Sequence, residues 1–158
     1  MVSFIAARQE DVEVGDAAVP IATMRDENTS SRYADPAFPA VADLKLAATA
    51  AKVAEPCVEK LGPRLRMGVA ATTPAMLTET PERVEEWKRR GALCADCGAS
   101  TLYTPTHLAS VPSLTLLAVS GNVILGKDRG FYAGQEQESG HGVLGASKRS
   151  SRNGSEDA

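Results

Sequence analysis

The stretch Ala92–Thr104 reads Ala-Leu-Cys-Ala-Asp-Cys-Gly-Ala-Ser-Thr-Leu-Tyr-Thr and predicts a strand, an acidic turn and the start of a helix. An amphipathic segment from Pro81 to Arg90 leads into Gly91. A short apolar run from Ala92 to Ala95 follows, and Asp96 is the first charged residue after it. The composition from Ala99 to Tyr103 is typical of a helix. Because ligands of open α/β sheets bind at the carboxyl ends of strands, this turn is the first candidate for a functional site.

Strands and helices alternate along the rest of the chain, which favours an α/β fold. Asp43 is a suitable N-cap for a helix from Leu44 to Leu61, although Pro56 should kink or end that helix. A second helix begins at Pro81. Apolar runs predict three further strands, at Ala17–Met24, Leu65–Ala71 and Leu114–Val119. The residues from Met1 to Gly15 follow neither pattern.

Composition excludes several classes of protein. The net charge of −3 provides no basic surface for nucleic acid, and no apolar run approaches the ~20 residues of a membrane span. No charged segment precedes an apolar one at the start of the chain, so we expect a cytoplasmic protein. Aromatic residues make up 4% of the chain, which leaves Ala, Val and Leu to fill the core.

Cys94 and Cys97 form a C-x-x-C pattern, which admits a redox or metal site. Ordinary buried thiols are the favoured interpretation, because Asp96 between the cysteines opposes thiolate formation. His107 lies beyond Pro105, which should interrupt the third helix, and a single His is more often a surface or core residue than a catalyst. We therefore expect neither a metal nor a cofactor.

Three stretches carry a family resemblance. Asp96, Cys97 and Gly98 stand where one family has Glu, Met and Glu in a Val-Glu-Met-Glu-(Ala/Thr)-Ser segment. The residues from Arg25 to Asp43 are similar to its Arg-Asp-Glu-Gly-Thr-Ser…Phe-Pro-Ala-Val-Ala-Asp motif, and Leu116–Asn122 is similar to its apolar strand ending in Ser-Asp-Asn. The chain thus resembles the nucleoside phosphorylases of the purine nucleoside and uridine phosphorylase superfamily, and specifically their C-terminal half.

The resemblance covers residues 12–126 and implies a partial nucleoside phosphorylase-like domain. The expected fold is a three-layer α/β structure, with a mixed, largely parallel sheet flanked by helices and an incomplete N-terminus. Residues 127–158 are rich in Gly, Ser and Gln and are expected to form an irregular, disordered tail.

Ribose and base contacts follow from the same resemblance. In the family, the turn that follows the strand corresponding to Ala92–Ala95 holds the ribose. The resemblance therefore assigns Asp96 and Cys97 to ribose binding. Met76 stands where the family places an aromatic residue against the nucleobase, although a core position for Met76 is equally compatible with the sequence. Thr73 and Asn122 are the other base-binding candidates.

Phosphate binding is assigned by resemblance to Arg25. The loop from Arg25 to Pro39 fits a position beside the active site and a solvated surface about equally well. No catalytic residue is assigned, because Gly121 stands where purine-specific members carry the Asp that protonates the base, and Gly98 cannot accept a hydrogen bond from ribose through a side chain.

The function implied is phosphorolytic cleavage of the N-glycosidic bond of purine or pyrimidine nucleosides, with phosphate as co-substrate, by a chain that is truncated and weak or inactive alone. The alternatives are a non-catalytic nucleoside or nucleobase-binding module and an interaction subunit. Loss of the N-terminal half should also leave open edges on Leu65–Ala71 and Leu114–Val119. We therefore expect a homo-oligomer or a complex with a partner chain.

Overall fold

The computed structural model describes residues 1–62, 64–122 and 127–128, and these form one mixed sheet with three α-helices. The strands are β1 (Val2–Ala7), β2 (Ala17–Arg25), β3 (Ala40–Val41), β4 (Leu65–Thr72), β5 (Ala92–Asp96), β6 (Leu116–Asn122) and β7 (Lys127–Asp128). The helices are α1 (Leu44–Leu61), α2 (Pro81–Arg89) and α3 (Ala99–Leu108). Short 3-10 helices span Ser30–Arg32 and Met76–Thr78.

The described strands are ordered β3-β2-β4-β5-β1-β6-β7, and β2 also pairs with β6. That extra pairing, of Ala17 with Ala118 and of Ala18 with Leu117, closes β2, β4, β5, β1 and β6 into a ring. Strands β2, β4 and β5 are parallel to one another, whereas β1 and β6 run in the opposite direction. The α/β fold with a mixed sheet is therefore confirmed. The expectation of a largely parallel sheet is not, because four of the seven described pairings are antiparallel.

Strand β1, in the segment to which the sequence assigned no element, lies between β5 and β6. The expectation of open edges on the apolar strands β4 and β6 is wrong, because both strands are paired on each side. Strand β4 is paired on both sides, by β2 and β5, and β6 is flanked by β1 and by β2 and β7. Ring closure supplies the neighbours that a truncated open sheet would have lacked.

Both interior prolines lie within helices that continue past them. Helix α1 contains Pro56 and α3 contains Pro105. Pro105 therefore does not interrupt α3 as expected, and of the two outcomes expected at Pro56, a kink or a helix end, the end does not occur. A proline removes one backbone donor, and other contacts hold these helices in place. Asp43 Oδ1 accepts a 2.7 Å hydrogen bond from Leu46 N at the start of α1, as its N-cap role predicts. Thr106 Oγ1 donates to the carbonyl of Leu102 on the turn that contains Pro105.

The largest core cluster draws on all five strands of the ring. Its members are Ile5, Ala7, Val12, Ala18, Ala70, Cys94, Leu117 and Val119. Trp87 packs α2 against Ala71 and Ala95 on the sheet. Tyr103 fixes α3, because its hydroxyl donates to Pro20 O at 2.8 Å and accepts from Thr115 N at 3.0 Å.

Helix α1 presents an apolar surface that nothing in the described chain covers. We call Leu44, Leu46 and Val53 the outer face of α1; their exposed fractions are 70%, 39% and 69%. The buried apolar residue of this helix within the described chain is Ala47. Leu46 and Val53 fall near one face of the helix, and the structure places both at the surface.

No described helix combines the length and the apolarity that crossing a bilayer requires. Lys127 and Asp128 pair with Asn122 and Gly121 of β6. The remaining residues of the expected tail, 129–158, lie outside the described residues.

Candidate functional site

The three parallel strands of the ring end level with one another. Arg25 at the end of β2 pairs with Thr72 at the end of β4, and Thr72 pairs with Asp96 at the end of β5. The segments that follow these strands therefore meet at one end of the sheet. This is the arrangement that the stretch Ala92–Thr104 predicted, and it defines the candidate site.

Asp96 is a buried carboxylate that anchors the start of α3. Its Oδ2 accepts hydrogen bonds from Gly98 N at 2.9 Å and Ala99 N at 2.6 Å, and its Oδ1 accepts from Thr72 Oγ1 at 2.8 Å. Burial raises the pKa of Asp96 despite these bonds, with a further contribution from the charge of Glu27. Three of the about four acceptor positions of a carboxylate are thus occupied.

Glu27 is a second buried carboxylate at the same end of the sheet, and sequence reasoning gave it no role. Its Oε2 accepts from Ser30 N at 2.9 Å, and its Oε1 accepts from the hydroxyls of Ser100, at 2.7 Å, and Ser30. Burial alone would raise the pKa of Glu27, but the hydrogen bonds from Ser30 and Ser100 lower it overall. The signal was present in the sequence, since Glu27 lies in the Arg-Asp-Glu motif.

Hydroxyl groups join the two carboxylates. Thr72 Oγ1 lies 2.8 Å from Thr23 Oγ1 and accepts from Ser100 N at 3.0 Å, while Ser100 Oγ donates to Glu27. We call Thr23, Glu27, Ser30, Thr72, Asp96 and Ser100 the buried polar network; each is 7% exposed or less. It ties the loop after β2 to the end of β4 and the start of α3.

Arg25 folds its own loop. Its Nε donates to Ser30 Oγ at 2.8 Å, its Nη2 to Ala34 O at 2.9 Å, and its Nη1 to Phe38 O at 2.7 Å and to Asp35 O. These contacts use four of the five N–H groups of a guanidinium. The structure therefore commits most of the predicted phosphate-binding side chain to loop carbonyls.

Thr73 and Cys97 adjoin Asp96, and Met76 adjoins Cys97. Thr73 N donates to Asp96 O at 2.8 Å, and the Thr73 side chain is fully buried. Met76 is 41% exposed, which identifies it as a surface rather than a core residue. Partial burial and the charges of Asp96 and Glu79 raise the pKa of the Cys97 thiol, against a hydrogen bond with the Met76 backbone. Four of the predicted ribose- and base-binding residues thus share one end of the sheet.

Asn122 lies elsewhere, because β6 runs opposite to β4 and β5. The strand register aligns Asn122 with Ala7, and Ala7 with Cys94 in the middle of β5. The amide of Asn122 donates to Gln9 O at 2.9 Å and to Val12 O at 2.6 Å. The structure does not bring this predicted base-binding residue to Met76 and Asp96, and its amide instead holds the turn after β1.

The cysteines of the C-x-x-C pattern are both free thiols. Burial raises the pKa of Cys94 to about 12, and the charge of Asp96 adds to that effect. A raised pKa disfavours the thiolate that redox and metal chemistry need. The expectation of buried thiols holds for Cys94 and is wrong for Cys97, which is exposed. Within the described part of the chain, no three His, Cys, Asp or Glu residues cluster in a way that could hold a metal ion.

A separate open cavity of about 590 Å³ lies between the start of α1 and the end of α3. His107 contributes to its wall and packs edge-on against Phe38, with 5.5 Å between ring centroids. The other lining residues are Val41, Ala42, Asp43, Leu44, Lys45, Ser110, Val111, Pro112 and Ser113. None of the predicted ribose-, base- or phosphate-binding residues is among them.

Comparison with known proteins decides the family. The sequence model of the phosphorylase superfamily matches residues 6–140 of this chain. The chain belongs to the phosphorylase superfamily. The superfamily match starts within β1 and includes β2 to β6, so the whole buried polar network falls inside it. The resemblance read from the three sequence motifs is thereby confirmed.

Two similar proteins bear on the extent of the chain. A guanosine phosphorylase from Halorubrum lacusprofundi is 27% identical over 130 residues, which cover 82% of this chain and 52% of that protein. A solved structure, the P knowlesi homologue of P falciparum PNP, has a TM-score of 0.70 at 21% identity and covers 78% of this chain and 51% of its own. The second likeness concerns the fold alone. The chain spans about half the length of each relative.

Proposed function

We propose that this chain is a nucleoside phosphorylase-like protein that binds a nucleoside where β4 and β5 end and, alone, turns it over weakly or not at all. The observation that carries the proposal is the convergence of Thr73, Met76, Asp96 and Cys97 at the level ends of parallel strands, in a chain of the phosphorylase superfamily. The reaction would be phosphorolysis of the N-glycosidic bond, with phosphate as co-substrate and no other cofactor.

The residues have chemically distinct roles in this proposal. Asp96 retains about one free acceptor position, which suits a ribose hydroxyl, and Cys97 lies next to it at the surface. The exposed thioether of Met76 suits a nucleobase face, a contact worth ~0.3–1.5 kcal/mol. The name of the Halorubrum lacusprofundi relative makes guanosine the first ligand to test, followed by inosine and uridine.

Weak activity follows from the ribose end of the site. A hydrogen bond to a carboxylate contributes about 1.5–3 kcal/mol, and Gly98 lacks the side chain that the family's second Glu supplies by resemblance. The Met1 side chain fills the space, since a Cβ added at Gly98 would lie 3.1 Å from Met1 Sδ and 3.1 Å from Met1 Cε. A longer side chain at Gly98 therefore requires only the flexible end of Met1 to move.

The test compares Gly98→Glu with Gly98→Ala. Calorimetric titration with guanosine should show weak binding by the natural chain, and Gly98→Glu should bind about tenfold more tightly because it adds a carboxylate acceptor. Gly98→Ala displaces Met1 in the same way without adding an acceptor, so its affinity should stay unchanged. Equal affinities for all three chains, or no nucleoside binding by any, would contradict the assignment of the site.

Turnover is measured on the same samples. Release of base from guanosine, inosine or uridine in phosphate buffer should fall far below the ~10 s⁻¹ of ordinary enzymes. One reason concerns proton transfer to the base, which typically contributes 10²–10⁴-fold. By resemblance Gly121 stands where purine-specific members carry the donor Asp, and β6 also carries this position away from Met76 and Asp96. A rate within tenfold of an ordinary enzyme would contradict the proposal of weak activity.

The proposal extends to cytoplasmic nucleoside salvage and to an assembly with a second copy or a partner chain. The exposed outer face of α1 supports the assembly, because apolar patches on soluble proteins commonly mark interfaces. Light scattering at micromolar concentration should show a species larger than a monomer. A stable monomer across that range would contradict it.

A further inference from the structure

A buried guanidinium lies immediately after β1. Arg8 is fully buried; its Nη1 donates to Ala7 O at 3.2 Å, and its Nη2 donates to the carboxylate of Glu79. The guanidinium carbon lies 6.0 Å from the ring centroid of Trp87, within cation–π range. Arg8 Nε is buried and has no hydrogen-bond partner in the described part of the chain. A buried charged donor is therefore left unmet.

Glu79 is the ionic partner of Arg8, and it belongs to the segment that carries Met76. Its backbone N donates to Met76 O at 3.2 Å, and its side chain is 8% exposed. Burial raises the pKa of Glu79, against the opposing effect of Arg8. Glu79 is also close enough to Cys97 to raise the pKa of that thiol. The ion pair thus joins β1 to the wall of the candidate site.

The contact between these two side chains uses only part of the guanidinium. Nε and Nη2 lie along one edge of an arginine, and oxyanions characteristically bind such an edge through two parallel hydrogen bonds. Glu79 engages Nη2 through Oε2 and leaves Nε unpaired. A tetrahedral oxyanion on this edge would make one more charge-assisted hydrogen bond than Glu79 makes.

The other guanidinium groups near the site are engaged. Arg25 binds loop carbonyls, and Arg83 donates from both Nε and Nη2 to Asp26, at 2.7 Å and 2.6 Å. Of Arg8, Arg25 and Arg83, Arg8 is the one with a buried N–H that has no partner in the described part of the chain.

We propose that Arg8 forms a binding site for a tetrahedral oxyanion of the phosphate or sulfate class, and that Glu79 occupies and closes this site in the structure. An entering oxyanion displaces the Glu79 carboxylate and shifts the adjoining 3-10 helix with Met76. If the proposed phosphorylase function holds, this site binds the phosphate co-substrate, a role for which Arg25 is not available because its guanidinium binds loop carbonyls. The inference rests on the proposed function only for that role, not for binding itself.

The first experiment titrates the full chain with inorganic phosphate in the absence of nucleoside. Glu79→Gln removes the competing charge and should lower the phosphate Kd by about tenfold or more. Glu85→Gln is the matched control, because it removes the same charge at a nearby position in the sequence and Glu85 is exposed. Its phosphate Kd should match that of the natural chain. An unchanged Kd in Glu79→Gln, or equal gains in both variants, would overturn the proposal.

A second comparison tests Arg8 without stranding a buried carboxylate. In the Glu79→Gln background, Arg8→Met leaves no unpaired charge, so the double variant should fold and lose the gained phosphate affinity. Retention of that affinity would overturn the assignment to Arg8. Circular dichroism of each variant verifies the fold before titration.

Methyl NMR of the methionines reports the displacement directly. Phosphate should shift the Met76 signal, while the Met67 signal, at the start of β4 and also exposed, should stay in place. Sulfate should reproduce the shift if the site recognises the oxyanion. Because nucleoside is absent throughout, failure here leaves the proposed phosphorylase function standing, and phosphate binding without nucleoside turnover would support the Arg8 site alone.

Discussion

The buried polar network and the outer face of α1 reverse the usual distribution of side chains. At the ends of β2, β4 and β5, two carboxylates and four hydroxyl-bearing residues are buried. On α1, two leucines and a valine are exposed. The difference teaches that polar side chains are buried where they have hydrogen-bond partners. Apolar side chains are exposed where no neighbouring element packs on them.

The buried polar network tolerates burial because its carboxylate oxygens accept hydrogen bonds. Asp96 and Glu27 each accept three hydrogen bonds from backbone N–H groups and hydroxyls. A buried polar group that loses its partner costs the full desolvation penalty, whereas an exposed apolar group that is replaced costs little. Substitutions in the two regions should therefore have very different effects.

Asp96→Ala should give the largest loss of stability. It strands the N–H groups of Gly98 and Ala99 and the hydroxyl of Thr72, and we expect a cost of about 2–4 kcal/mol. Urea unfolding measures it. Asp96→Asn keeps one acceptor oxygen and should lose less; equal losses would show that the network does not depend on these bonds.

Glu27→Gln should cost about 1–2 kcal/mol at pH 7, because it weakens hydrogen bonds that favour the charged carboxylate. These bonds hold the pKa of Glu27 below its ordinary value of 4.5. The stability they provide is complete above that value and is lost as the pH falls through the folded pKa. The difference between the two chains should therefore shrink below about pH 4.5. A difference that stays constant down to pH 3 would exclude this carboxylate as its source.

Asp43→Ala should destabilise the chain by about 1 kcal/mol, because it removes the side-chain acceptor of Leu46 N at the start of α1. Thermal unfolding measures the change, and Asp43→Ser, which restores an N-cap acceptor, should recover most of it. An Asp43→Ala chain as stable as the natural one would mean that the helix start does not need its cap.

Val53→Ser should change stability by no more than about 0.5 kcal/mol, because the side chain is exposed on the outer face of α1. Ala47→Leu on the same helix is the matched contrast. Ala47 is buried, so added volume should cost about 1–3 kcal/mol. A large, concentration-dependent loss in Val53→Ser would show that another chain covers this face in solution.

Local signals predicted much of this structure. The strand, turn and helix at Ala92–Thr104 and the cap at Asp43 depend on residues adjacent in sequence, and the structure has them. The same holds for the start of α2 at Pro81, where Thr80 accepts a hydrogen bond from Arg83 N. The proximity of Met76, Asp96 and Cys97 also followed, because parallel strands end at one edge of a sheet.

Long-range pairing accounts for what the sequence did not predict. No local pattern states that β2 pairs with β6, or that β6 runs against β4, and these two facts separate Asn122 from the site. Glu27 and Ser100 lie far apart in sequence, so their hydrogen bond was not readable either. The outer face of α1 has a core-like pattern, but its exposure depends on which elements are present to cover it.

Closure of the ring places a condition on the order of folding. The N-terminal amine of Met1 donates to Leu114 O at 2.7 Å across a separation of 113 positions, and β1 pairs with β6 along its length. Contacts between such distant segments form slowly, because the intervening chain must first lose conformational freedom. During synthesis, β1 emerges from the ribosome before β6 and stays unpaired on that side until β6 is complete. The ring cannot close before nearly the whole described chain has been made.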